Sequence, residues 1–180
     1  MVQEKKARVA TMWLGGCSGC HMSFLDQDEF LIDLAEKMAL VHSPIVDVKE
    51  FPENVDLTLV EGAVNTEDHI DMIKKVRSRT KILVSLGDCA ISGNVTALRN
   101  AELCSPESVL KRAYIETVDV NPQIPAEVPK LAPKAQALHE IVKVDYFIPG
   151  CPPNAALIYY VLTELLAGRA PEMENRSKYG

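Results

Sequence analysis

Apolar and polar positions along the chain alternate in a pattern that is typical of strands followed by helices. Arg8 to Leu14 has the length and apolar character of a buried strand, and it stops at Gly15-Gly16. From Ser23 onward, apolar residues recur at helical spacing while charged residues fill the other face. These apolar residues are Phe24, Leu25, Phe30, Leu31, Leu34 and Met38. The pattern therefore predicts a strand, a loop and a helix.

The same alternation continues to the end of the chain. Four more segments are short and apolar enough to be strands: Ile45 to Val48, Leu57 to Val60, Lys81 to Leu86 and Val144 to Ile148. Glu67 to Arg79 is amphipathic and predicts a helix. Asn154 to Ala167 predicts a strongly apolar helix, with Asn154 as its N-cap and Gly168 as its stop. Strands alternating with helices predict an α/β fold, with a flavodoxin-like open parallel sheet of about five strands and helices on both faces.

A proline-rich segment, residues 121–133, separates the fourth predicted strand from the fifth. Its prolines are Pro122, Pro125, Pro129 and Pro133. Because proline cannot donate to a strand ladder and favours extended backbone, we expect a long surface loop within one domain of residues 1–180. A tolerated loop and a partner-docking surface are equally compatible with this pattern.

Composition narrows the range of functions. The 180 residues are 47% hydrophobic and 24% charged, which indicates an ordinary globular chain. A net charge of −6 leaves no basic face for a phosphate backbone, so we expect no nucleic-acid partner. The first apolar segment is too short for a secretory signal or a membrane span, which predicts a cytoplasmic protein. Thiols stay reduced there, and clustered cysteines indicate metal or redox chemistry rather than disulfides.

Four of the five cysteines follow the ends of predicted strands. Cys17 and Cys20 follow the first strand, Cys89 follows the fourth, and Cys151 follows the fifth. Because the carboxyl ends of parallel strands meet at one edge of a sheet, these four side chains are expected to converge. Four thiolates are the usual ligands of a [4Fe–4S] cluster, and a proline directly after Cys151 is a ferredoxin-type feature. Cys104 is expected to be an ordinary buried thiol.

Three other interpretations of these cysteines stay open. A zinc-stapled interaction module would use the same four thiolates, although structural zinc sites are typically built from close pairs and Cys89 and Cys151 are solitary. A thioredoxin-type dithiol would involve Cys17 and Cys20 alone. A flavodoxin-like carrier would hold FMN at this edge, but neither a Gly-x-Gly-x-x-Gly spacing nor a Walker pattern is present.

Four segments together resemble the small subunit of nickel–iron hydrogenases, in the order found in that family. They are Gly16-Cys17-Ser18-Gly19-Cys20, Val60-Glu61-Gly62-Ala63, Gly87-Asp88-Cys89-Ala90 and Pro149-Gly150-Cys151-Pro152-Pro153. The resemblance implies that Cys17, Cys20, Cys89 and Cys151 ligate one [4Fe–4S] cluster beside the nickel–iron centre of a separate large subunit. It also implies that electrons from hydrogen oxidation pass through this cluster to iron–sulfur and flavin subunits of a diaphorase.

Two sequence features separate the types within this resemblance. The homologous 20 kDa quinone-linked subunit of respiratory complex I is the nearest alternative, but it has two adjacent cysteines in its first motif. Here Ser18-Gly19 separates Cys17 from Cys20. Membrane-linked small subunits continue into a second cysteine-rich domain, whereas this sequence stops at Gly180. We therefore expect the soluble, bidirectional NAD(P)-linked type with only the proximal cluster.

Two polar residues near the cysteines are candidates for a supporting role. Glu61 matches the family's Glu-Gly motif, and is expected either to position the loop near the cluster or to be an ordinary carboxylate. His21 could donate a hydrogen bond to a cluster sulfur, although a surface or interface histidine is the preferred interpretation. Trp13 and Tyr146 are expected to pack in the core, without a role in electron transfer.

Overall fold

The structure, a computed structural model, describes residues 6–101, 105–174 and 176. Seven strands lie in this part of the chain: β1 (Ala7–Trp13), β2 (Met38–His42), β3 (Val55–Glu61), β4 (Val64–Thr66), β5 (Thr80–Leu86), β6 (Leu131–Gln136) and β7 (Tyr146–Ile148). The α-helices are α1 (Gly19–Leu25), α2 (Phe30–Lys37), α3 (Glu67–Arg79), α4 (Asp88–Ser92), α5 (Pro106–Lys111) and α6 (Ala155–Leu166). Short 3₁₀ segments lie at Asn94–Asn100 and Leu138–Glu140, and a π-helical turn lies at Arg112–Glu116.

Five of the strands form a parallel sheet in the order β2-β1-β3-β5-β7. Numbered among themselves, these five strands have the order 2-1-3-4-5, which is the flavodoxin-like order. The predicted α/β fold is therefore confirmed. The predicted strands overlap β1, β3, β5 and β7, and the helix predicted at Glu67 to Arg79 is α3.

Helices cover both faces of the sheet, because successive residues of a strand point to opposite sides. Val9 and Leu59 contribute to a buried apolar cluster that also contains side chains of α1, α2 and α6. Their neighbours Ala10 and Val60 contribute to a second cluster, with side chains of α3 and α4. This cover on both sides explains why β3 and β5 are apolar along most of their length.

The prediction for the second strand is wrong. Ile45 to Val48 is not a strand, and both Ile45 and Val48 are exposed. Met38–His42 forms β2 instead and pairs in parallel with β1. This strand is at the edge of the sheet and is buried only at its two ends, Met38 and His42, so its burial gives little signal of a strand.

The helix predicted from Ser23 onward is interrupted. Residues 26–29 form a turn between α1 and α2, in which Asp28 has a φ of 49°. The Gln27 side chain donates from Nε2 to the carbonyl oxygen of Phe24 at 2.9 Å and so satisfies an acceptor at the end of α1. The apolar spacing continues across the break, which is why it did not reveal the turn.

The loop predicted over residues 121–133 ends earlier than expected. Its last three residues belong to β6, which pairs antiparallel with β4 in a separate two-stranded sheet. Pro133 is tolerated in such a short edge pairing, where not every backbone N–H is needed as a donor. Among the described residues, no helix is both long enough and apolar enough to cross a membrane.

Asp145 joins β7 to β5 at the end of the sheet where β7 begins. Its Oδ2 accepts hydrogen bonds from the backbone N–H of Leu83 at 2.9 Å and from Arg77 Nη1 at 2.6 Å. Burial raises the pKa of Asp145, but the hydrogen bonds from Leu83 and Arg77 outweigh it and hold the pKa below its ordinary value. The ionised carboxylate therefore stabilises this pairing of strands.

We predict that Asp145→Asn makes stability less dependent on pH. A lowered pKa in the folded chain contributes stability above the ordinary carboxyl pKa of 3.8, and this contribution is lost as the pH falls through the folded value. Urea unfolding at pH 7, 5 and 3 should therefore show a shallower acid loss in the variant than in the parent chain. Asp71→Asn, which removes an exposed carboxylate of α3, is the control for the loss of one negative charge. Equal slopes in the parent and Asp145→Asn would contradict the assignment.

Candidate metal centre

Four cysteines line one small cavity at the carboxyl edge of the sheet. Its volume is about 90 Å³, and it is lined by Cys17, Cys20, Cys89 and Cys151. Cys17 and Cys151 are exposed, whereas Cys20 and Cys89 are half-buried, and all four are free thiols. The four predicted ligands therefore lie together, although they come from segments after three different strands, with Cys20 in the first turn of α1 and Cys89 in that of α4. Cys104, which was expected to be an ordinary buried thiol and not a ligand, lies outside the described residues.

The loop that carries Cys17 and Cys20 is held against the segment after β3. Gly15 and Ala63 exchange two backbone hydrogen bonds, with N to O distances of 2.9 and 2.8 Å. Gly62 has a φ of 85°, and a side-chain carbon there would lie 2.9 Å from the backbone of Leu14 and Gly15. A residue other than glycine at position 62 would therefore push the first cysteine loop away.

Glu61 contacts both the cavity and the residue that follows Cys20. Its Oε2 accepts a hydrogen bond from the backbone N–H of His21 at 2.6 Å and lies 2.7 Å from His21 Nδ1. Both side chains are 3% exposed. Glu61 thus lies at the site, as it must if it positions the loop near the cysteines. How Glu61 and His21 affect a bound group stays a prediction.

The expectation of a surface or interface position for His21 is wrong, because its ring is buried within the chain against Trp13. The two ring centroids are 5.2 Å apart, with the planes at 88°. Tyr146 packs against the apolar cluster that includes α6, as expected. Trp13 is half-buried and, among the described residues, belongs to neither apolar cluster, so its expected core position is wrong. His21 Nε2 and Trp13 Nε1 are buried and have no hydrogen-bond partner among the described atoms. The sequence around Cys20 does not indicate that His21 is buried. The partner of its ring, Glu61, is 40 residues away in the sequence.

The loop that carries Cys89 lies directly against Cys20. Gly87 has a φ of 82° and a ψ of 162°, a region that is essentially restricted to glycine. A side-chain carbon on Gly87 would collide with Cys20 Sγ. The backbone N–H of Gly87 also donates to the Ile148 carbonyl oxygen at 2.8 Å, which extends the pairing of β5 with β7.

The loop that carries Cys151 is attached to both of the others. The backbone N–H of Gly150 donates to Asp88 Oδ1 at 2.7 Å, and that of Asp88 donates to the Gly150 carbonyl oxygen at 3.0 Å. Ser23 Oγ of α1 donates to the Pro153 carbonyl oxygen. The predicted N-cap is confirmed, since Asn154 Oδ1 accepts from the Leu157 N–H at 2.8 Å at the start of α6. Asp88 and Ser23 were not assigned a role from sequence; the only available signal was a polar residue next to or near a cysteine.

The electrostatic environment disfavours thiolates in the absence of a cation. Burial raises the pKa of Cys20, and the Glu61 carboxylate and the other three thiols raise it further. Burial also raises the pKa of Cys89, and Cys151 and Cys17 act in the same direction. Four thiolates at this site therefore need a positively charged group, such as iron ions, to offset their charge.

The number and chemical type of the donors indicate which groups the cavity suits. Within residues 6–101, 105–174 and 176, no group of three or more His, Cys, Asp or Glu side chains is arranged to hold a metal ion. The four thiols line a cavity, and their number and chemical type fit an iron–sulfur cluster. Gly16, Gly19, Gly62 and Gly150 also line the cavity, so the backbone approaches it closely.

A larger groove lies away from the cysteines. It has a volume of about 830 Å³, and α5 and the proline-rich segment form much of its wall. Ile124 and Val128, on the proline-rich side, are 45% and 56% exposed. Nothing in the described residues identifies an occupant, so both interpretations of the proline-rich segment stay open.

Comparison with known proteins gives consistent matches over nearly the whole chain. The profile of the family described as NADH ubiquinone oxidoreductase, 20 Kd subunit, matches residues 17–165. The chain is 41% identical over 174 residues to the NAD-reducing hydrogenase HoxS subunit delta of Cupriavidus necator, with 93% of this chain and 82% of that protein covered. It is 38% identical over 175 residues to a subunit of the vhu F420-non-reducing hydrogenase of Methanococcus voltae. That match covers 95% of this chain and 60% of the archaeal protein, so this chain spans less than two thirds of its length.

Solved structures give the same result. A crystal structure of an NAD⁺-reducing [NiFe]-hydrogenase in the H₂-reduced state contains a chain that superposes with a TM-score of 0.92 and 38% identity. The superposition covers 98% of this chain and 100% of that one. A chain of the [NiFeSe] hydrogenase from Desulfovibrio vulgaris Hildenborough superposes with a TM-score of 0.62 over 93% of this chain and 62% of that one. At 18% identity, this second match supports the fold alone.

We predict that Gly87→Ala destabilises the iron-free chain more than Gly168→Ala does. Gly168 also has a positive φ, 71°, but a side-chain carbon there meets no atom within 4 Å. Gly168→Ala should therefore cost about 1 kcal/mol from the left-handed backbone alone. Gly87→Ala should cost about 3 kcal/mol, because its backbone conformation is more restricted and its side chain would collide with Cys20 Sγ. The measurement is the free energy of unfolding in urea.

A double variant tests the cause of this difference. Cys20→Ala removes the sulfur atom and should recover part of the loss in Gly87→Ala, but none in Gly168→Ala. Equal losses in the two glycine variants would contradict the contact between Gly87 and Cys20.

Proposed function

Since this chain belongs to the small subunits of nickel–iron hydrogenases, within the family of the NADH:ubiquinone oxidoreductase 20 kDa subunit, we propose that it transfers electrons through one [4Fe–4S] cluster. Cys17, Cys20, Cys89 and Cys151 would hold this cluster. The observation that carries the proposal is that four free thiols from three separate segments of the chain line one cavity. When bound, such a cluster supplies a site that accepts and releases single electrons.

The residues of this chain would contribute position and charge to the site. Cys20 and Cys89 hold the inner, half-buried side of the cavity, where few water molecules can approach. Cys17 and Cys151 lie on its exposed side. Glu61 and Asp88 line the same cavity, and both are buried. Their carboxylates add negative charge beside four thiolates, and this kind of local charge influences cluster potentials.

The partners in this proposal follow from what the relatives are called. HoxS subunit delta is named as a subunit of an NAD-reducing hydrogenase, and the superposed crystal structure is of an NAD⁺-reducing [NiFe]-hydrogenase. For this chain we propose a nickel–iron large subunit that oxidises hydrogen and a diaphorase with iron–sulfur and flavin subunits that reduces NAD(P). The exposed thiols Cys17 and Cys151 give electrons a short path to a partner that covers the cavity. A cytoplasmic location belongs to the same proposal, because free thiols persist there.

The quinone-linked alternative has less support than the hydrogenase assignment. The family profile includes the complex I subunit in its description, so the profile match alone does not separate the two. The 41% identity to a hydrogenase subunit and the 0.92 TM-score to a hydrogenase chain favour a hydrogen-linked role. No structural observation favours an FMN carrier or a zinc-stapled module, and the metal and flavin content of the isolated chain distinguishes both from the cluster.

We predict that this chain contributes about four irons and four acid-labile sulfides to the anaerobically purified complex. These are in addition to the iron and sulfide that its partner subunits hold. Cys89→Ser and Cys151→Ser should each remove this chain's share and abolish hydrogen-dependent NAD(P) reduction. Cys104→Ser is the matched control and should keep both. NADH-dependent dye reduction by the flavin subunits should continue in every variant, because it needs no electron from this chain.

Several results would contradict the proposal. Stoichiometric zinc without iron in the isolated chain would favour the stapled module, and bound FMN without iron would favour the flavodoxin-like carrier. Equal loss of iron in Cys89→Ser, Cys151→Ser and Cys104→Ser would contradict the four-ligand site.

A further inference from the structure

We infer that Asp88 is a positioning residue that fixes Cys151 relative to Cys89. Asp88 directly precedes Cys89, and Gly150 directly precedes Cys151. Asp88 accepts from the backbone N–H of Gly150 through Oδ1 at 2.7 Å, and its own backbone N–H donates to the Gly150 carbonyl oxygen at 3.0 Å. These two hydrogen bonds, which we call the Asp88–Gly150 clasp, join the two loops immediately before their thiols.

The clasp lies just past the last paired residues of β5 and β7, where strand pairing no longer fixes the segment that carries Cys151. β7 is only three residues long, and its pairing with β5 ends at Ile148, opposite Leu86. Past that point, the backbone N–H of Gly87 donates to the Ile148 carbonyl oxygen. The clasp follows at Asp88, the next residue after Gly87. Gly150 has a φ of 136°, a conformation that side-chain-bearing residues rarely adopt. A glycine has wide conformational freedom, so an external contact is needed to keep this one in place.

The chemistry of the clasp requires a hydrogen-bond acceptor on the side chain at position 88. Asp88 is only 4% exposed. A carboxylate buried this deeply requires hydrogen-bond donors. Bonds between a carboxylate and a backbone N–H are stronger than those between neutral groups. Alanine at this position would leave the Gly150 N–H without this acceptor. Asparagine would retain an acceptor oxygen of the same reach.

The clasp also relates the first cysteine motif to the third. Gly87 lies against Cys20 Sγ on one side, while Asp88 holds Gly150 on the other. Residues 87–89 therefore contact the loops of Cys20 and Cys151 at once. The positions of Cys20 and Cys151 relative to Cys89 therefore depend on this central segment. The consequence for a cluster rests on the proposed function, whereas the placement of the two thiols does not.

The inference can be tested on the iron-free full chain. Cys17, Cys20 and Cys104 are replaced by serine, which leaves Cys89 and Cys151 as the only thiols. Dibromobimane, which fluoresces strongly only when both its arms have reacted with thiols, then reports how readily these two are bridged. The rate is compared in four chains: the parent background, Asp88→Ala, Asp88→Asn and Asp145→Ala. Asp145 is the matched control, because it also accepts a backbone N–H between β7 and β5, but before Tyr146, at the other end of their paired residues.

We expect Asp88→Ala to slow bridging about tenfold, because an intramolecular reaction depends steeply on the placement of its two groups. Asp88→Asn should bridge within about twofold of the parent rate, since its amide oxygen can accept from Gly150. Asp145→Ala should lower the midpoint of urea unfolding but leave bridging near the parent rate. In the purified complex, Asp88→Ala should lose most of the iron assigned to this chain, whereas Asp88→Asn should retain it with an altered EPR signal of the reduced cluster.

Each alternative result overturns the inference in a recognisable way. A folded Asp88→Ala chain that bridges at the parent rate would show that the clasp does not place the thiols. Equal slowing in Asp145→Ala would mean that general loosening of β7 is responsible. If Asp88→Ala does not fold, Asp88→Asn decides: a rate near the parent's supports the inference, and a tenfold loss overturns it. A parent complex without this chain's iron would contradict the proposed function, while the bridging rates still test the clasp.

Discussion

The register of the central parallel strands is the constraint on which the rest of the structure depends. Trp13 of β1 is opposite Glu61 of β3, Glu61 is opposite Leu86 of β5, and Leu86 is opposite Ile148 of β7. These four residues therefore form one row across the sheet, and every chain segment that leaves it begins at the same edge. The loops with the four cysteines start within a few residues of this row. Convergence of the thiols thus results from the backbone ladder, before any metal is bound.

Two buried carboxylates, one in this row and one two residues past it, hold the cysteine segments by hydrogen bonds. Glu61 accepts a backbone N–H from His21, and Asp88 accepts one from Gly150. In each case the donor lies next to a cysteine, so a hydrogen bond to a fixed acidic side chain holds the thiol-bearing backbone. Preorganisation of this kind lowers the entropy that must be lost when a ligand binds. It also has an electrostatic cost, because both carboxylates lie beside thiols that would themselves become negative.

The sequence predicted those parts of the fold and site that depend on local pattern. β1, β3, β5, α3 and α6 were found because strong apolar periods and caps such as Asn154 identify them. β2 was misplaced because an edge strand buries few residues, and the break at Asp28 left the apolar spacing intact. The cysteine set was predicted from strand-end motifs. The burial of His21 and the role of Asp88 depend on partners 40 and 62 residues away, which periodicity cannot reveal.

The short edge strand β7 has a consequence for how this architecture can diversify. About 60 residues separate Cys89 from Cys151, yet the two loops are joined directly by the Asp88–Gly150 clasp and the last rungs of the ladder. The intervening chain, including the proline-rich segment, closes a loop whose entropic cost rises only slowly with its length. Insertions there would leave the separation of the thiols in space unchanged. Relatives are therefore expected to conserve the residues flanking each cysteine far more strictly than the number of residues between them, and a search based on fixed cysteine spacing would overlook many of them.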